Sequence, residues 1–566
     1  MTVRPSDYPP PFGAGEAIAP PTDPADERIE VGVAVVGAGP AGLACAIRFG
    51  QLLEEAPELA ERLGEVPLAV VEKGKLPGSH LLSGAVINPR GLRRLFRGRP
   101  QAEEFPRFGR VDAEAVYLLT RSKSLRIPPP PTMRNHGNVV VSLSQLGRWL
   151  GEQAEEVGAT ILPETSATKL LVDHGSVRGI RTGDRGRGRD GEELGNFEPG
   201  SDIVAKVTVL AEGTQGYLTG AAVERFGLHG RNPQVYALGV KEVWKVAKPL
   251  DRVIHTMGWP LRTAARYREF GGSWIYPLGD DMVSLGFVVG LDYTDVDLSP
   301  HDLLQELKTH KLVRGILDGG ERLEWGAKTI PEGGFLSMPR RLQAPGLLIC
   351  GDGAGMVNVP ALKGVHYAIE SGRLAAEAAF AALQPGETPA RVGALARYDE
   401  AVSQSFIRTD LEEVRNQRQA FGRGFYVGGA LASAMTVTKG RFPGKPRATE
   451  PDAEQGLLRT GRAETYPASD GRLTFDKLSS VFLSGNKTRD DQPNHIRVAG
   501  PVPLDVAELW ARMCPAQVYE VGEEAGDGMV DVKLAPSNCV QCGAITAKGG
   551  RLTPPEGGSG PEYQRT

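Results

Sequence analysis

Apolar runs that end in glycine punctuate this chain. "VGVAVVGAGPAGLACAI" (residues 31 to 47) reads as a short buried strand, a glycine turn and a helix, the opening βα unit of a doubly wound sheet. A charged helical insert follows from Gln51 to Gly64, and "VPLAVVEKG" supplies a second strand ending on Glu72. Next, "VVVSLSQLGRWLGEQAEEVGATILPETSATKLLVD" predicts a helix with Leu146, Leu150 and Ala154 on one face, then strands. The run "TGDRGRGRDGEELGNFEPGSD" reads as a polar hairpin tip, and "AKVTVLAEGTQG" as another buried strand with a glycine turn.

From Tyr236 to Val296 short strands dominate ("YALGVKEVW", "GGSWIYPLG", "MVSLGFVVGL"), which predicts an antiparallel layer distinct from the first unit. "APGLLICGDGAGMVNVPALKGVHYAIESGRLAAEAAFAAL" then returns to strand, glycine turn and long Ala-rich helix; after Pro443 the chain turns polar and Pro-rich. The pattern therefore predicts an α/β fold. A discontinuous doubly wound domain occupies 29-230 plus 340-440, an antiparallel domain is inserted at 231-339, and a further part is appended at 441-566. The first 30 residues carry Pro, Asp and Glu without an apolar core, so they predict a disordered leader over 1-28 rather than a signal or transit peptide. No window reaches the roughly 18 apolar residues that a spanning helix needs, which leaves a soluble or membrane-surface protein.

Composition narrows the classes. A chain of 566 residues suits two or three domains, and 40% hydrophobic with 24% charged residues is ordinary for a folded protein. A net charge of −4 with no basic stripe argues against nucleic acid as a partner. Five cysteines are too few for a disulfide framework, and three of them (Cys514, Cys539, Cys542) fall in the last tenth of the chain, as ligands would. A reducing compartment fits. Cys45 and Cys350 read as buried small apolar residues.

Gly37, Gly39 and Gly42 form G-x-G-x-x-G between an apolar strand and an apolar helix. The first permits the tight turn, the second lets a pyrophosphate approach the backbone, and the third allows close helix packing, with phosphate at the helix N-terminus. Glu72, at the end of the next strand, is placed to hydrogen-bond an adenosine ribose. The distant turn Gly351-Asp352 places a carboxylate for the ribityl or phosphate oxygens of FAD. The helix after Gly364 aims its positive end at the flavin's pyrimidine edge. No second G-x-G-x-x-G is present, so nicotinamide is not expected and electrons are expected from a protein. Cys514-Pro515, Cys539 and Cys542 suit an iron–sulfur site, a close pair plus one distant thiolate; zinc or free thiols are the alternatives. His366 is a candidate proton-relay group, or else a packed histidine at a helix start.

These residues and the dispersed stretches "GSHLLSGAVINP", "NHGNVVVSL", "AEGTQG", "EGGFLSMP", "DQPNHI", "CPAQVYE", "NCVQC" and "PPEGGSGPEY" resemble the electron-transfer flavoprotein:ubiquinone oxidoreductase family, from about Val31 to Tyr563. The resemblance implies a glutathione-reductase-like FAD domain, a quinone-binding inserted domain and a C-terminal ferredoxin-like domain. It implies an enzyme that takes electrons from reduced electron-transfer flavoprotein and reduces membrane quinone to quinol through one FAD and one [4Fe-4S] cluster. It would lie peripherally on the inner membrane, on the cytoplasmic side in bacteria or the matrix side.

The resemblance assigns Gly271 and Gly272 to the quinone pocket, where a strand bulge is the plainer reading. Bilayer contact is implied for Gly84 to Phe96, with Arg90, Arg93, Arg94 and Arg97, and for Phe421 to Val437. The family's C-x-x-C-x-x-C loop is altered here, because Ile545 stands where the fourth ligand would be. That leaves a [3Fe-4S] cluster, a [4Fe-4S] cluster with a non-thiolate ligand, or a vestigial site. The alternatives in function are an NAD(P)H-dependent flavoprotein reductase or hydroxylase, and a flavin electron carrier that does not turn over quinone.

Overall fold

In the computed structural model, which describes residues 2–22 and 28–566, Arg28–Val36 is the middle of a parallel sheet. Val31 to Val36 are buried on both faces, as a parallel strand covered by helices requires. Leu68–Val71 and Asp202–Leu210 flank it in parallel; Thr160–Leu162 extends one side and Leu347–Ile349 the other. Helices Pro40–Glu54 and Val365–Ala382 pack together beside this sheet, both rich in alanine so that their axes approach closely. Helix Leu143–Glu156 starts at Ser142, whose hydroxyl accepts from the Gln145 N–H at 3.3 Å, a cap worth about 1 kcal/mol. Cys45 and Cys350 are fully buried in this core.

The antiparallel pair Ala167–Asp173 and Ser176–Thr182 lies toward the edge of the same sheet, which is therefore mixed. The expected leader over 1-28 is corrected for residues 2–22. Ile18–Ala19 forms a parallel edge strand on Leu170 and Leu171, and the Leu457 N–H donates to the Val3 carbonyl. Phe12 packs its ring on Tyr217 at 5.7 Å. These contacts supply the order that composition alone did not suggest. Met1 and residues 23–27 of the leader lie outside the described residues. The polar run after Thr182 is a hairpin, Arg185–Arg187 against Glu193–Glu198.

The second sheet has seven strands in the order Glu321–Pro331, Tyr236–Lys245, Met282–Gly290, Gly271–Pro277, Val253–Gly258, Glu114–Leu119, Ser124–Ile127. The expected boundary at 231-339 is corrected here, because the last two strands come from the segment assigned to the first domain. Val253–Gly258 would otherwise be an open edge, and Glu114–Leu119 closes it in parallel register with Ala115 and Val116 buried.

The C-terminal part, with helix Leu504–Met513 and strands Tyr519–Gly526 and Met529–Leu534, shares one apolar core with the second sheet. Val506, Leu509 and Trp510 join Leu303, Leu304 and Leu307 there. Beneath them Glu242 is buried between Lys308 at 2.8 Å and Arg322 at 3.4 Å, and Arg322 also donates to the Ser480 hydroxyl. Removing one partner of such a buried set costs about 3–5 kcal/mol. The cysteine-bearing part is thus fixed to the sheet. Among the described residues, no helix is long and apolar enough to cross a membrane.

Candidate functional site

The glycine loop is built by close approach. Gly37 has φ +104°, a region that favours glycine, and a Cβ there would stand 2.5 Å from the Ala211 carbonyl. A Cβ on Gly42 would stand 2.0 Å from the Gly37 carbonyl, so the helix abuts the turn. Gly39 differs: the nearest atom to its Cβ position is 3.8 Å away, and it faces open cavity. Glu72 is held at the end of its strand by the Ala38 N–H at 2.9 Å and the Gly74 N–H at 2.7 Å.

Gly37, Gly39 and Glu72 line one end of a cavity of about 390 Å³ that runs between the two sheets; Asp352 and Gly364 line it further along. Asp352 is half-buried, and desolvation raises its carboxyl to about 6. Gly351 has φ +66° and turns the chain there, while Gly364 precedes helix Val365–Ala382 and presents its N-terminus to the cavity. The structure thus brings Gly37, Gly39, Glu72, Asp352 and Gly364 to one space. Gly42 and Gly351 sit behind it as packing and turn positions.

The cavity fits a long, polar and apolar ligand such as FAD. Both side-chain atoms of Gln215, Nδ1 of His80 and both ring nitrogens of His495 line it or abut it, buried without hydrogen-bond partners. Trp274, Tyr276 and Val288 of the second sheet give it an apolar wall. Tyr276 Oη lies 2.7 Å from His255 Nε2. Lys363 lines the cavity with its ammonium on Asn135 Oδ1 at 2.8 Å, and burial lowers it to about 7.

The cysteine loop shares this cavity. Gln541 and Gly543, beside Cys539 and Cys542, are lining residues. The Thr329 N–H and hydroxyl both donate to the Cys542 carbonyl, and Lys328 Nζ donates to the Gln541 carbonyl at 3.0 Å. Cys514, Cys539 and Cys542 are close enough to act on one another electrostatically and on the buried ring of Tyr519. Burial, with repulsion from the neighbouring cysteine, pushes the thiols of Cys539 and Cys542 up to about 12.

The Val518 N–H donates to Cys514 Sγ at 3.4 Å, and the backbone at Ala516, Gln517, Gln541 and Ala544 favours the thiolate form of the three cysteines. Lys477, Lys73 and Lys328 bring positive charge to the same three thiols. N–H donors and buried cations around thiolates suit an anionic iron–sulfur cluster. Among the described residues, no three His, Cys, Asp or Glu side chains converge on a single ion, whereas a polynuclear cluster takes one thiolate per iron.

Gly271 and Gly272 do not line the cavity; they open the strand Gly271–Pro277, whose Trp274 and Tyr276 do. Sheet packing alone demands glycine here, since Cβ atoms would stand 1.9 Å from the Val288 carbonyl and 2.4 Å from the Thr256 carbonyl. Phe270, the preceding residue, packs its ring at a tilt against Phe421, centroids 4.8 Å apart. Helix Phe425–Val437 follows; only Gly428 and Met435 of it are buried, while Tyr426 is 69% and Val437 84% exposed. The glycine pair thus lies between the cavity wall and an exposed apolar helix.

One expectation is corrected, and of the two readings of His366 the packed one holds. Gly84 to Phe96 is no bilayer element: Leu92, Leu95 and Phe96 are core residues, while Arg90, Arg93 and Arg94 pair with Asp410, Glu103 and Glu370. His366 is turned away from the cavity. Its Nε2 meets Arg90 at 2.8 Å and its ring stacks on Phe406.

Sequence reasoning missed Gln215, Lys73, Lys328, Lys363, Tyr276 and His495. Gln215 and His495 lie in stretches that carried the resemblance, "AEGTQG" and "DQPNHI". A polar residue inside such a stretch was the available signal.

Comparison with known proteins agrees with this geometry. A family model described as "ETF-QO, ubiquinone-binding" matches residues 236–330, and one described as "Electron transfer flavoprotein-ubiquinone oxidoreductase, 4Fe-4S" matches 471–564. The mitochondrial electron transfer flavoprotein-ubiquinone oxidoreductase of Arabidopsis thaliana is 40% identical over 95% of this chain and 84% of its own length. The Pseudomonas aeruginosa protein of that name is 37% identical over 95% of this chain and 99% of its own. A geranylgeranyl bacteriochlorophyll reductase-like structure from Thermoplasma acidophilum superposes with TM-score 0.55 at 16% identity, covering 73% of this chain and 96% of that one, a likeness of fold alone.

Proposed function

Because the chain belongs to the electron transfer flavoprotein-ubiquinone oxidoreductase family, we propose that it oxidises reduced electron-transfer flavoprotein and reduces a membrane quinone to quinol. The observation that carries this reading is that the loop bearing Cys539 and Cys542 forms a wall of the cavity that begins at Gly37 and Glu72. A cluster held by those cysteines would stand beside the cavity and supply electrons to a flavin bound in it.

FAD bound here would supply a centre that accepts electrons singly and delivers a pair, which joins a one-electron donor to a two-electron quinone. A cluster on Cys514, Cys539 and Cys542 would supply the one-electron step ahead of it. The chain's own residues position these groups. Glu72 accepts ribose hydroxyls, the N-terminus of Pro40–Glu54 at Gly39 holds pyrophosphate, and Asp352 accepts from the ribityl chain. Gly364 leaves the N-terminus of Val365–Ala382 open toward the flavin. Gly42 and Gly351 keep the two turns tight.

In this reading the parts are a glutathione-reductase-like FAD domain, a quinone domain and a ferredoxin-like domain, and Gly271 and Gly272 border the quinone path. Helix Phe425–Val437, with Arg423 and Lys439 at its ends, lies on the membrane as a monotopic anchor at the inner face. Quinone tails reach the glycine pair from that side.

The test is anaerobic mixing. Reduced electron-transfer flavoprotein should bleach the bound flavin, and quinone in detergent should restore its colour with quinol as product. Rapid bleaching by NADPH without bleaching by the flavoprotein would overturn the reading in favour of a nicotinamide-dependent reductase. Flavin reduction without quinol would leave only an electron carrier.

A further inference from the structure

The fourth corner of the cysteine site is apolar. Ile545 is 3% exposed, in the short helix Ala544–Ala547, and belongs to the same core as Cys514, Cys539, Val540 and Trp510. Its carbonyl is already taken by the Lys548 and Gly550 N–H groups at 3.0 and 2.9 Å. A Cβ on Gly550 would stand 2.5 Å from Ile545 Cγ1, so the chain closes directly over the side chain.

The charged side chains that act on the three thiols are Lys477, Lys73 and Lys328, all cations. The Thr546 hydroxyl, one residue beyond Ile545, accepts the Leu552 N–H at 3.1 Å. A water or hydroxide beside Ile545 would meet an apolar wall with too few polar partners to hold it. An iron there would lack a ligand that the other three possess.

We propose that this chain holds a [3Fe-4S] cluster on Cys514, Cys539 and Cys542, with Ile545 in place of the ligand that a fourth iron requires. The inference rests on the reading above that this site carries a cluster, and it departs from the four-iron description of the matching family model. Three thiolates with their N–H donors and three nearby lysines are retained, so the site keeps its negative occupant and its one-electron role. What is lost is one iron, at the corner where thiolate became alkyl.

The test uses the full chain, purified without oxygen with FAD bound. Iron and acid-labile sulfide are measured per FAD, and EPR spectra are taken before and after one-electron reduction. About three irons and about four sulfides per FAD are expected, with an EPR signal in the oxidised protein that disappears on reduction. About four irons, with an EPR-silent oxidised state that gains a signal on reduction, would overturn the proposal. Absence of iron would overturn it too, while quinone reduction measured on the same sample reports the proposed function separately.

Ile545→Cys should raise the count from about three irons to about four and reverse the EPR pattern. FAD content of the variant reports its folding. An unchanged count in a flavin-loaded variant would overturn the assignment of Ile545 as the missing corner. Tyr519→Phe should keep about three irons; a fall from four to three would instead make that phenol the fourth ligand and overturn the proposal.

Discussion

Thr329 fastens Cys542. Its N–H and its hydroxyl both donate to the Cys542 carbonyl, at 2.8 and 2.9 Å, from a strand residue that lines the cavity. The cysteine loop is thereby tied to the second sheet at its point of contact with the flavin space. Thr329→Val keeps the N–H bond and removes the hydroxyl's bonds to the Cys542 carbonyl and to Thr214 Oγ1 at nearly constant volume. Chemical denaturation of the variant should show a loss of about 1–3 kcal/mol, the worth of two hydrogen bonds. FAD content should be unchanged, and iron should be lost to a chelator faster than from the parent.

Gly42 and Gly39 of the first turn should fail in different ways. Alanine at Gly42 would drive Cβ into the Gly37 carbonyl at 2.0 Å, so Gly42→Ala should yield little folded protein. Alanine at Gly39 meets nothing closer than 3.8 Å but fills the space meant for pyrophosphate. Gly39→Ala should therefore fold, with the circular dichroism of the flavin-free parent. Its FAD affinity should be weaker by at least about tenfold, or about 1.4 kcal/mol, in a flavin titration.

That contrast shows what the sequence made legible. The glycine spacing, the strand after it and Glu72 are local, so their gathering at one turn was readable from pattern. Residues that depend on distant partners were not. The second sheet takes Glu114–Leu119 because Val253–Gly258, far along the chain, leaves an edge to cover. Arg90 and Arg94 read as a basic face only until Asp410 and Glu370 are placed against them.

His366 is the packed histidine of its two readings for a reason of periodicity. Gly364, Val365 and Ala368 share the cavity-facing side of the helix, and position 366 turns about 100° from 365 and points elsewhere. Ile545, in contrast, was visible as a departure by spacing alone; its burial and its occupied carbonyl emerged only from the fold.

Asp352 should give the flavin-free protein a measurable pH dependence. Burial raises its carboxyl from the ordinary 3.8 to about 6, so between these values the native state holds a proton that the unfolded chain has released. Native stability attributable to this group is therefore undiminished below about pH 4, falls as pH rises to about pH 6, and stays reduced above it. Asp352→Asn removes the charge. In thermal melts of the flavin-free proteins the variant should be more stable than the parent at about pH 7 and equal to it near about pH 3.5. Its FAD affinity should nevertheless fall, because an amide is a weaker acceptor for ribityl hydroxyls than a carboxylate.

Membrane attachment should depend on helix Phe425–Val437 and the turn after it, and not on Gly84 to Phe96. Tyr426, Val427, Val437 and Phe442 are exposed at 69%, 52%, 84% and 65%, and no charged residue lies within the helix. Burying such side chains in the bilayer boundary is worth about 1.5–3 kcal/mol each when complete, so loss of two should be read easily. Tyr426→Ser with Phe442→Ser should weaken binding to vesicles by more than about tenfold in a sedimentation assay. Flavin reduction by reduced electron-transfer flavoprotein should be unaffected, because neither Tyr426 nor Phe442 lines the cavity. Reduction of a long-tailed quinone in vesicles should fall with binding, while a short-tailed quinone in solution should be reduced at the parent's rate. Arg93→Ser with Arg97→Ser, on the first segment, should leave vesicle binding near that of the parent, since Arg93 is held by Glu103 at the protein surface.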